Sequence, residues 1–85
     1  MSKSELAAGI NIIKKTSKEL PERSGVYKMI GLNNEVLYIG KAKNIAKRVN
    51  SYANPMRLNY RLQKMVSLVN SIDFIVTKNE AYALL

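Results

Sequence analysis

Residues 25–40 read GVYKMIGLNNEVLYIG, two apolar segments on either side of a short turn segment. The two apolar segments, residues 25–30 and 35–40, are rich in Val, Ile, Leu and Tyr, as β-strands usually are. Between them, residues 31–34 include a Gly and two Asn, which tolerate the backbone dihedrals of a tight turn. The stretch therefore predicts a β-hairpin.

The spacing within this hairpin predicts which side chains face one another. A two-residue turn at 33–34 places Tyr38 opposite Met29 and Gly40 opposite Tyr27. Because side chains alternate along a strand, Tyr27 and Tyr38 are expected to share one face, and the missing side chain of Gly40 leaves room for the Tyr27 ring. The alternative is that both rings are ordinary core aromatics, as most strand tyrosines are.

Apolar residues at helical spacing predict three helices in the rest of the chain. Ser4 and Asn44 each precede such a segment and are expected to be N-caps, because their side-chain oxygens accept hydrogen bonds from free backbone N–H groups. Pro55 interrupts the chain before the longest segment. The predicted helices span residues 4–16, 45–52 and, after Pro55, up to about 70, the last with an apolar stripe of Leu58, Leu62, Met65, Leu68 and Val69.

A further apolar run at residues 72–77 predicts a third strand, and Asn79 and Glu80 are expected to begin a last helix. The predicted fold class is α/β (α+β), with a small three-stranded antiparallel sheet flanked by helices. We expect residues 1–20 to form an N-terminal helix and linker, and residues 21–85 to form a domain whose last helix is cut short.

The charge of the chain predicts a polyanionic partner. Lys and Arg number 14 against 6 Asp and Glu, a net charge of +8, and no acidic residue occurs from Val36 to Ile72. Nucleic acid is the expected partner, because tyrosines interleave with the cations and can stack on bases; a solvated basic surface is the alternative. The cations of this acid-free window are Lys41, Lys43, Lys47, Arg48, Arg57, Arg61 and Lys64.

Composition excludes several kinds of chemistry. Cysteine and histidine are absent, which rules out disulfides, zinc fingers, thiolate nucleophiles and imidazole bases. No stretch is long and apolar enough to span a bilayer, and the first residues lack the apolar core of a signal peptide. No membrane partner is therefore expected, and the expected location is cytoplasmic. Any catalysis must use Tyr, Lys, Arg, hydroxyls, amides or carboxylates.

Two tripeptides at this spacing, Gly25-Val26-Tyr27 and Tyr38-Ile39-Gly40, are followed by Lys41 and Arg48. This pattern resembles the core of the GIY-YIG nucleases. The wider string from Leu20-Pro21 through Asn54-Pro55 is most similar to the amino-terminal domain of the UvrC-type incision proteins of bacterial excision repair, and the resemblance covers about residues 20–85. It implies the GIY-YIG endonuclease fold.

The resemblance implies a function in nucleotide excision repair. The expected reaction is metal-dependent hydrolysis of a DNA phosphodiester on the 3′ side of a lesion, in DNA presented by a UvrB-type helicase subunit. Two alternatives remain open. One is a stand-alone GIY-YIG endonuclease of the homing type, and the other is a basic module that binds nucleic acid without cutting it.

The resemblance also implies catalytic roles for Tyr27, Tyr38, Lys41 and Arg48. One tyrosine is expected to deprotonate the attacking water; Tyr38 is favoured because Lys41 is close in sequence and a cation lowers the pKa of a phenol. Arg48 lies near the apolar stripe of its predicted helix, whereas Lys47 points away, so Arg48 is expected to bind the scissile phosphate. The residues expected to contact DNA are Gly40, Lys43, Asn44 and Tyr52.

A divalent metal, Mg²⁺ or Mn²⁺, is implied as cofactor, held in family members by one Glu on the last helix. In this chain the matching segment is Glu80 to Leu85, and the ligand is expected about two residues beyond Leu85. Glu80 is instead expected in a first helical turn, where a carboxylate complements the helix dipole. The chain is thus expected to be an amino-terminal fragment of a longer protein, with little or no activity of its own.

Overall fold

The computed structural model describes residues 1–78. Within this part there are three helices, α1 (Lys3–Ser17), α2 (Ile45–Ser51) and α3 (Tyr60–Leu68), and three strands, β1 (Gly25–Ile30), β2 (Val36–Ala42) and β3 (Ser71–Val76). None of these helices is long and apolar enough to cross a membrane. The helix predicted to begin at Asn79 lies outside the described residues.

The three strands form one antiparallel sheet in the order β2-β1-β3. The predicted pairings are confirmed: Tyr27 faces Gly40, and Met29 faces Tyr38. On its other side, β1 pairs with β3, which places Tyr27 opposite Phe74. Because β1 is the central strand, the position of Tyr27 is fixed by hydrogen-bonded neighbours on both sides.

The predicted turn is also present. Asn33 and Asn34 both have positive φ, 58° and 60°, and the backbone N–H of Glu35 donates to the carbonyl of Leu32 at 3.2 Å. Asparagine tolerates this left-handed backbone better than other residues with a side chain. Two consecutive Asn therefore allow a turn whose twist matches that of the strands it joins.

An irregularity that the sequence pattern does not predict follows this turn. The register shifts between Met29 and Ile30, so that Ile30 pairs with Val36 and Leu37 is the extra residue of β2. Such a bulge adds one residue to one strand. Next to the turn the pairing is one residue out of the predicted register, and the extra residue brings the strands back into the register in which Tyr38 faces Met29.

The first helix begins earlier than predicted, and the prediction of Ser4 as its N-cap was wrong. Ser2 is the cap: its hydroxyl accepts the backbone N–H of Glu5 at 3.1 Å, and the Glu5 carboxylate accepts the backbone N–H of Ser2 at 2.9 Å. This reciprocal capping box satisfies two backbone donors, whereas Ser4 has no Glu or Gln three residues later.

The third helix is shorter than predicted. Residues Pro55–Arg57 form a separate 3₁₀ turn, capped by the side chain of Asn54, and α3 has its own cap in Asn59. Leu58 and Val69, which were predicted within one long helix, therefore lie outside α3. The two asparagine caps start two separate elements, because each offers its side chain to the backbone in place of a continuing helix.

The core lies between the helices and one face of the sheet. Helix α1 packs against α3, and at Gly9 the two helices approach so closely that a side-chain Cβ would overlap the backbone carbonyl of Val66. The least exposed large side chains come from β1 and from all three helices: Ile13, Tyr27, Met29, Ile45, Val49 and Val66.

Replacing Gly9 by Ala is expected to destabilise the protein, although Ala is the better helix former. The added methyl group has no room against the backbone of α3, and overpacking of this kind costs about 1–3 kcal/mol. The measurement is the free energy of unfolding from urea denaturation. The matched control is Asn11→Ala on the exposed side of α1, where a gain of a few tenths of a kcal/mol is expected. Stabilisation by both changes would contradict the close approach of α1 to α3.

Candidate active site

Three tyrosines from different elements meet beside β2. Tyr27 comes from the centre of β1, Tyr38 from β2, and Tyr52 from the residue that ends α2. The ring centroids lie 6.1–6.2 Å apart in all three pairs; Tyr27 and Tyr38 are stacked, and Tyr52 is edge-on to both. Aromatic contacts at such distances stabilise by about 0.5–1.5 kcal/mol each beyond the area they bury.

The place of Tyr27 depends on the missing side chain of Gly40. A Cβ built on Gly40 would overlap the hydroxyl oxygen and the Cζ atom of the Tyr27 ring. The ring thus lies directly against the backbone of β2 and carries its hydroxyl towards the neighbouring helix. The structure confirms the prediction that Gly40 leaves room for this ring.

Tyr27 and Tyr52 form a buried pair. Their hydroxyl oxygens are 2.7 Å apart, and the side chains are only 1% and 6% exposed. Tyr38, in contrast, is 38% exposed. The structure thus places Tyr52, predicted as a DNA contact, behind Tyr27. The sequence held a signal for this position, because Ile45, Val49 and Tyr52 form the apolar stripe of the helix; the hydroxyl contact itself had none.

Burial raises the pKa of Tyr27 above its ordinary value, against the hydrogen bond from Tyr52 and the positive charge of Arg48, which lower it. Burial raises the pKa of Tyr52 far above the ordinary range, and its hydrogen bond to Tyr27 raises it further. Desolvation disfavours the phenolate form. Both buried hydroxyls are therefore protonated at neutral pH.

A concavity of about 450 Å³ opens beside these rings. We call it the tyrosine concavity; its lining includes Tyr27, Tyr38, Gly40, Lys41 and Arg48, together with Val26 and Ile39. Four residues predicted as catalytic, and one predicted to contact DNA, are thus brought together. The concavity lies along an edge strand of the sheet, so solvent and a substrate can enter it.

The two cations of the tyrosine concavity arrive from different directions. Arg48 reaches the tyrosine concavity from α2, whereas Lys47, the residue before it, lines a separate cleft between α1 and α2. Lys41 pairs with Val26, so its side chain leaves β2 on the face opposite Gly40 and reaches the concavity around the sheet edge. A substrate in the concavity therefore meets positive charge on two sides.

Lys43 and Asn44 lie next to the tyrosine concavity. They line a neighbouring concavity of about 580 Å³ together with Lys47 and Arg48. The side-chain oxygen of Asn44 accepts the backbone N–H of Lys47 at 2.9 Å, which confirms Asn44 as the predicted N-cap of α2. This cap fixes the start of the short helix that carries Arg48.

The described part of the site supplies no acidic metal ligand. The residues that line the tyrosine concavity include two cations and no carboxylate. Among residues 1–78, no three His, Cys, Asp or Glu side chains come close enough together to hold a metal ion. Hard divalent cations prefer oxygen ligands, with carboxylates first among them. Residues 1–78 by themselves thus do not fit a divalent metal.

Two curated relatives of this chain carry the same name. UvrABC system protein C of Hyphomonas neptunium is 43% identical over 77 residues, which are 91% of this chain and 12% of that protein. The same protein of Sphingopyxis alaskensis is 41% identical over 83 residues, 98% of this chain and 13% of the relative. The chain thus spans about one eighth of the length of these curated relatives.

The fold has a close counterpart among solved structures. The GIY-YIG N-terminal endonuclease domain of UvrC from Thermotoga maritima, bound to magnesium as its catalytic divalent cation, superposes with a TM-score of 0.73 at 28% identity. The alignment covers 99% of this chain and 82% of that domain. In three further structures of that domain, each with one tyrosine replaced by phenylalanine, the catalytic divalent cation is bound as well.

The family comparison covers most of the chain. Residues 23–85 match the family of UvrC-like GIY-YIG domains. This range contains the hairpin, the tyrosine cluster formed by Tyr27, Tyr38 and Tyr52, and the helix that carries Arg48. The observed three-stranded sheet with its flanking helices is the fold of that family. The chain belongs to the family of UvrC-like GIY-YIG domains.

Proposed function

We propose that this chain is the endonuclease domain of a nucleotide excision repair protein and hydrolyses a DNA phosphodiester on the 3′ side of a lesion. The observation that carries the proposal is the tyrosine concavity, in which an exposed phenol, Tyr38, lies with the side chains of Lys41 and Arg48. Phosphodiester hydrolysis needs a group that takes a proton from water and positive charge that stabilises the transition state.

In this proposal Arg48 binds the scissile phosphate. Its planar guanidinium donates two parallel hydrogen bonds to phosphate oxygens, and it stabilises the extra negative charge of the pentavalent transition state. Lys41 contacts the same phosphate from the other side as a compact point charge. Binding from two sides holds the phosphate in place beside Tyr38. The attacking water can then approach the phosphorus in line with the bond that breaks.

We assign the role of general base to Tyr38, which would act as its phenolate, the form in which a tyrosine can take a proton from the attacking water. It is the exposed member of the tyrosine cluster, so a water molecule can reach its hydroxyl. The hydroxyl of Tyr27 is already bonded to Tyr52, and burial raises its pKa. Tyr27 therefore keeps its proton and orients the water or the phosphate, and Tyr52 holds Tyr27 in place from behind.

A divalent metal is part of the proposal, with Mg²⁺ and Mn²⁺ both acceptable. The Thermotoga maritima domain binds magnesium, and a catalytic divalent cation is bound in each of three tyrosine variants, as expected if no single phenol holds the ion. Such an ion would polarise a phosphoryl oxygen and lower the pKa of a bound water. We expect its Glu ligand beyond Leu85, so that residues 1–85 alone have little activity; the roles of Tyr38 and Arg48 given above involve only this chain.

The wider setting follows from the curated relatives, which are named as parts of the UvrABC system. We propose that a UvrB-type helicase subunit presents the damaged duplex, that this partner is bound by parts of a longer polypeptide, and that the protein acts in the cytoplasm. The cationic concavities of residues 1–78 would then contact the DNA alone. No contact with the partner subunit is assigned to the described residues.

Replacing Arg48 by Ala should lower the rate of incision by about 10² to 10³, because one donor to the transition state is lost. The assay is single-turnover nicking of a lesion-containing duplex loaded with the helicase subunit, with Mg²⁺, in a polypeptide that extends past Leu85. Arg61→Ala is the matched control: this Arg is exposed on α3 and lines none of the three concavities named here. Equal losses in the two variants would overturn the assignment of Arg48.

Replacing Tyr38 by Phe should lower the same rate by about 10² or more, since only the hydroxyl that takes the proton is lost. Because the ring remains, the free energy of unfolding should change little, and urea denaturation checks this. If Tyr38→Phe keeps the full rate while Tyr27→Phe does not, Tyr27 is the general base. If both variants cut at the full rate, the tyrosine hydroxyls have no part in catalysis. If the extended wild type binds DNA and does not cut it, the chain is better described as a DNA-binding module.

A further inference from the structure

A second cationic cleft lies between α1 and α2, on the side of α2 away from the tyrosine concavity. We call it the helix cleft; its volume is about 680 Å³, larger than that of the tyrosine concavity. Three lysines line it, Lys14 and Lys18 from the end of α1 and Lys47 from α2, and Glu22 is the one acidic residue on its lining. Residues 14 and 18 precede the segment that matches the family, which begins at residue 23.

The walls of the helix cleft are fixed by hydrogen bonds. The hydroxyl of Ser17, which is buried, donates to the carbonyl of Lys14 at 3.0 Å and lies 3.2 Å from the side-chain oxygen of Asn50 on α2. At the start of α2, the backbone N–H of Ile45 and of Ala46 donate to carbonyls of the 21–23 linker at 2.9 and 3.1 Å. The three lysines therefore lie on two helices whose relative position is fixed by these hydrogen bonds.

The cationic surface is continuous from the tyrosine concavity to the helix cleft. Arg48 lines both the tyrosine concavity and the neighbouring concavity of Lys43 and Asn44, and Lys47 lines both that concavity and the helix cleft. A polyanion that extends from the tyrosine concavity across α2 to the helix cleft therefore lies against cationic side chains along its whole length. The helix is about 10 Å wide, which equals the rise of about three base pairs.

We propose that the helix cleft is a second phosphate-binding site, which holds the DNA backbone about three base pairs from the phosphate that is cut. This inference rests on the proposed function, since it takes DNA as the polyanion. Three lysines against one carboxylate leave an uncompensated positive charge. Continuity with the place where the phosphate is cut favours DNA over an acidic protein segment as the occupant. In this arrangement α1 is a DNA-binding element.

The first test compares charge-matched variants of α1 in the 85-residue chain. The Kd for a fluorescent duplex of about 20 base pairs is measured at several salt concentrations, and the wild type is expected to bind more weakly as salt rises. Lys14→Gln with Lys18→Gln should weaken binding and make the slope of log K against log salt shallower by about 1 to 2. Lys14→Arg with Lys18→Arg should keep the wild-type slope.

The matched control is Lys3→Gln with Lys15→Gln, which removes the same charge from the same helix at two exposed positions that do not line the helix cleft. It should keep the wild-type slope. If the control and the cleft variant change the slope equally, only net charge matters and the second site is refuted, while the proposed function stands. If the wild type shows no salt-dependent binding at all, the second site is refuted as well, and the proposed function is decided separately by the incision assay.

A second measurement needs no variant. Lysine acetylation of the wild-type chain, read by mass spectrometry with and without the same duplex, compares Lys14 with its neighbour Lys15. DNA in the helix cleft should protect Lys14 and Lys18 several-fold while Lys15 stays reactive. Equal protection of Lys14 and Lys15, or none, would overturn the proposal even if a substituted protein failed to fold.

Discussion

The ring of Tyr27 packs against the bare backbone of Gly40, and the arrangement of the site depends on this contact. It takes the Tyr27 hydroxyl to the end of α2, where it bonds to Tyr52 at 2.7 Å. The same helix is held at its start by the cap of Asn44. With both ends fixed, α2 presents Arg48 to the tyrosine concavity, and a one-atom change in β2 would disturb the position of a guanidinium on another element.

This packing also gives the three tyrosines different environments. Two of them are removed from water and stay protonated, because burial disfavours the phenolate form and raises the pKa of each. The third, Tyr38, stacks on the ring of Tyr27 and remains open to solvent. The buried pair and the exposed ring thus come from the same cluster, and Lys41 and Arg48 line the concavity beside Tyr38. A site with lysine and arginine and no carboxylate, as in the described concavity, suits an anion that arrives from outside.

The sequence predicted what depends on local rules. Two asparagines form the turn, alternation places Tyr27 and Tyr38 on one face, and the missing side chain of Gly40 leaves room for the Tyr27 ring. It did not predict contacts that join distant segments: the pairing of β3 with β1 and the hydroxyl bond of Tyr52. The wrong cap of α1 was a local error, because Ser2 and Ser4 compete and only Ser2 has a Glu at the reciprocal position.

Tyrosine ¹³Cζ NMR during a pH titration of the wild type and of Gly40→Ala shows whether Gly40 fixes Tyr27 in the buried hydrogen-bonded pair. In the wild type, Tyr27 should stay protonated beyond the pH at which a free tyrosine ionises, at a pKa of about 10. In Gly40→Ala the ring must move, and the pKa of Tyr27 should fall towards that of a free tyrosine. The account is contradicted if Tyr27 titrates as a free tyrosine in the wild type, or if its raised pKa survives unchanged in Gly40→Ala.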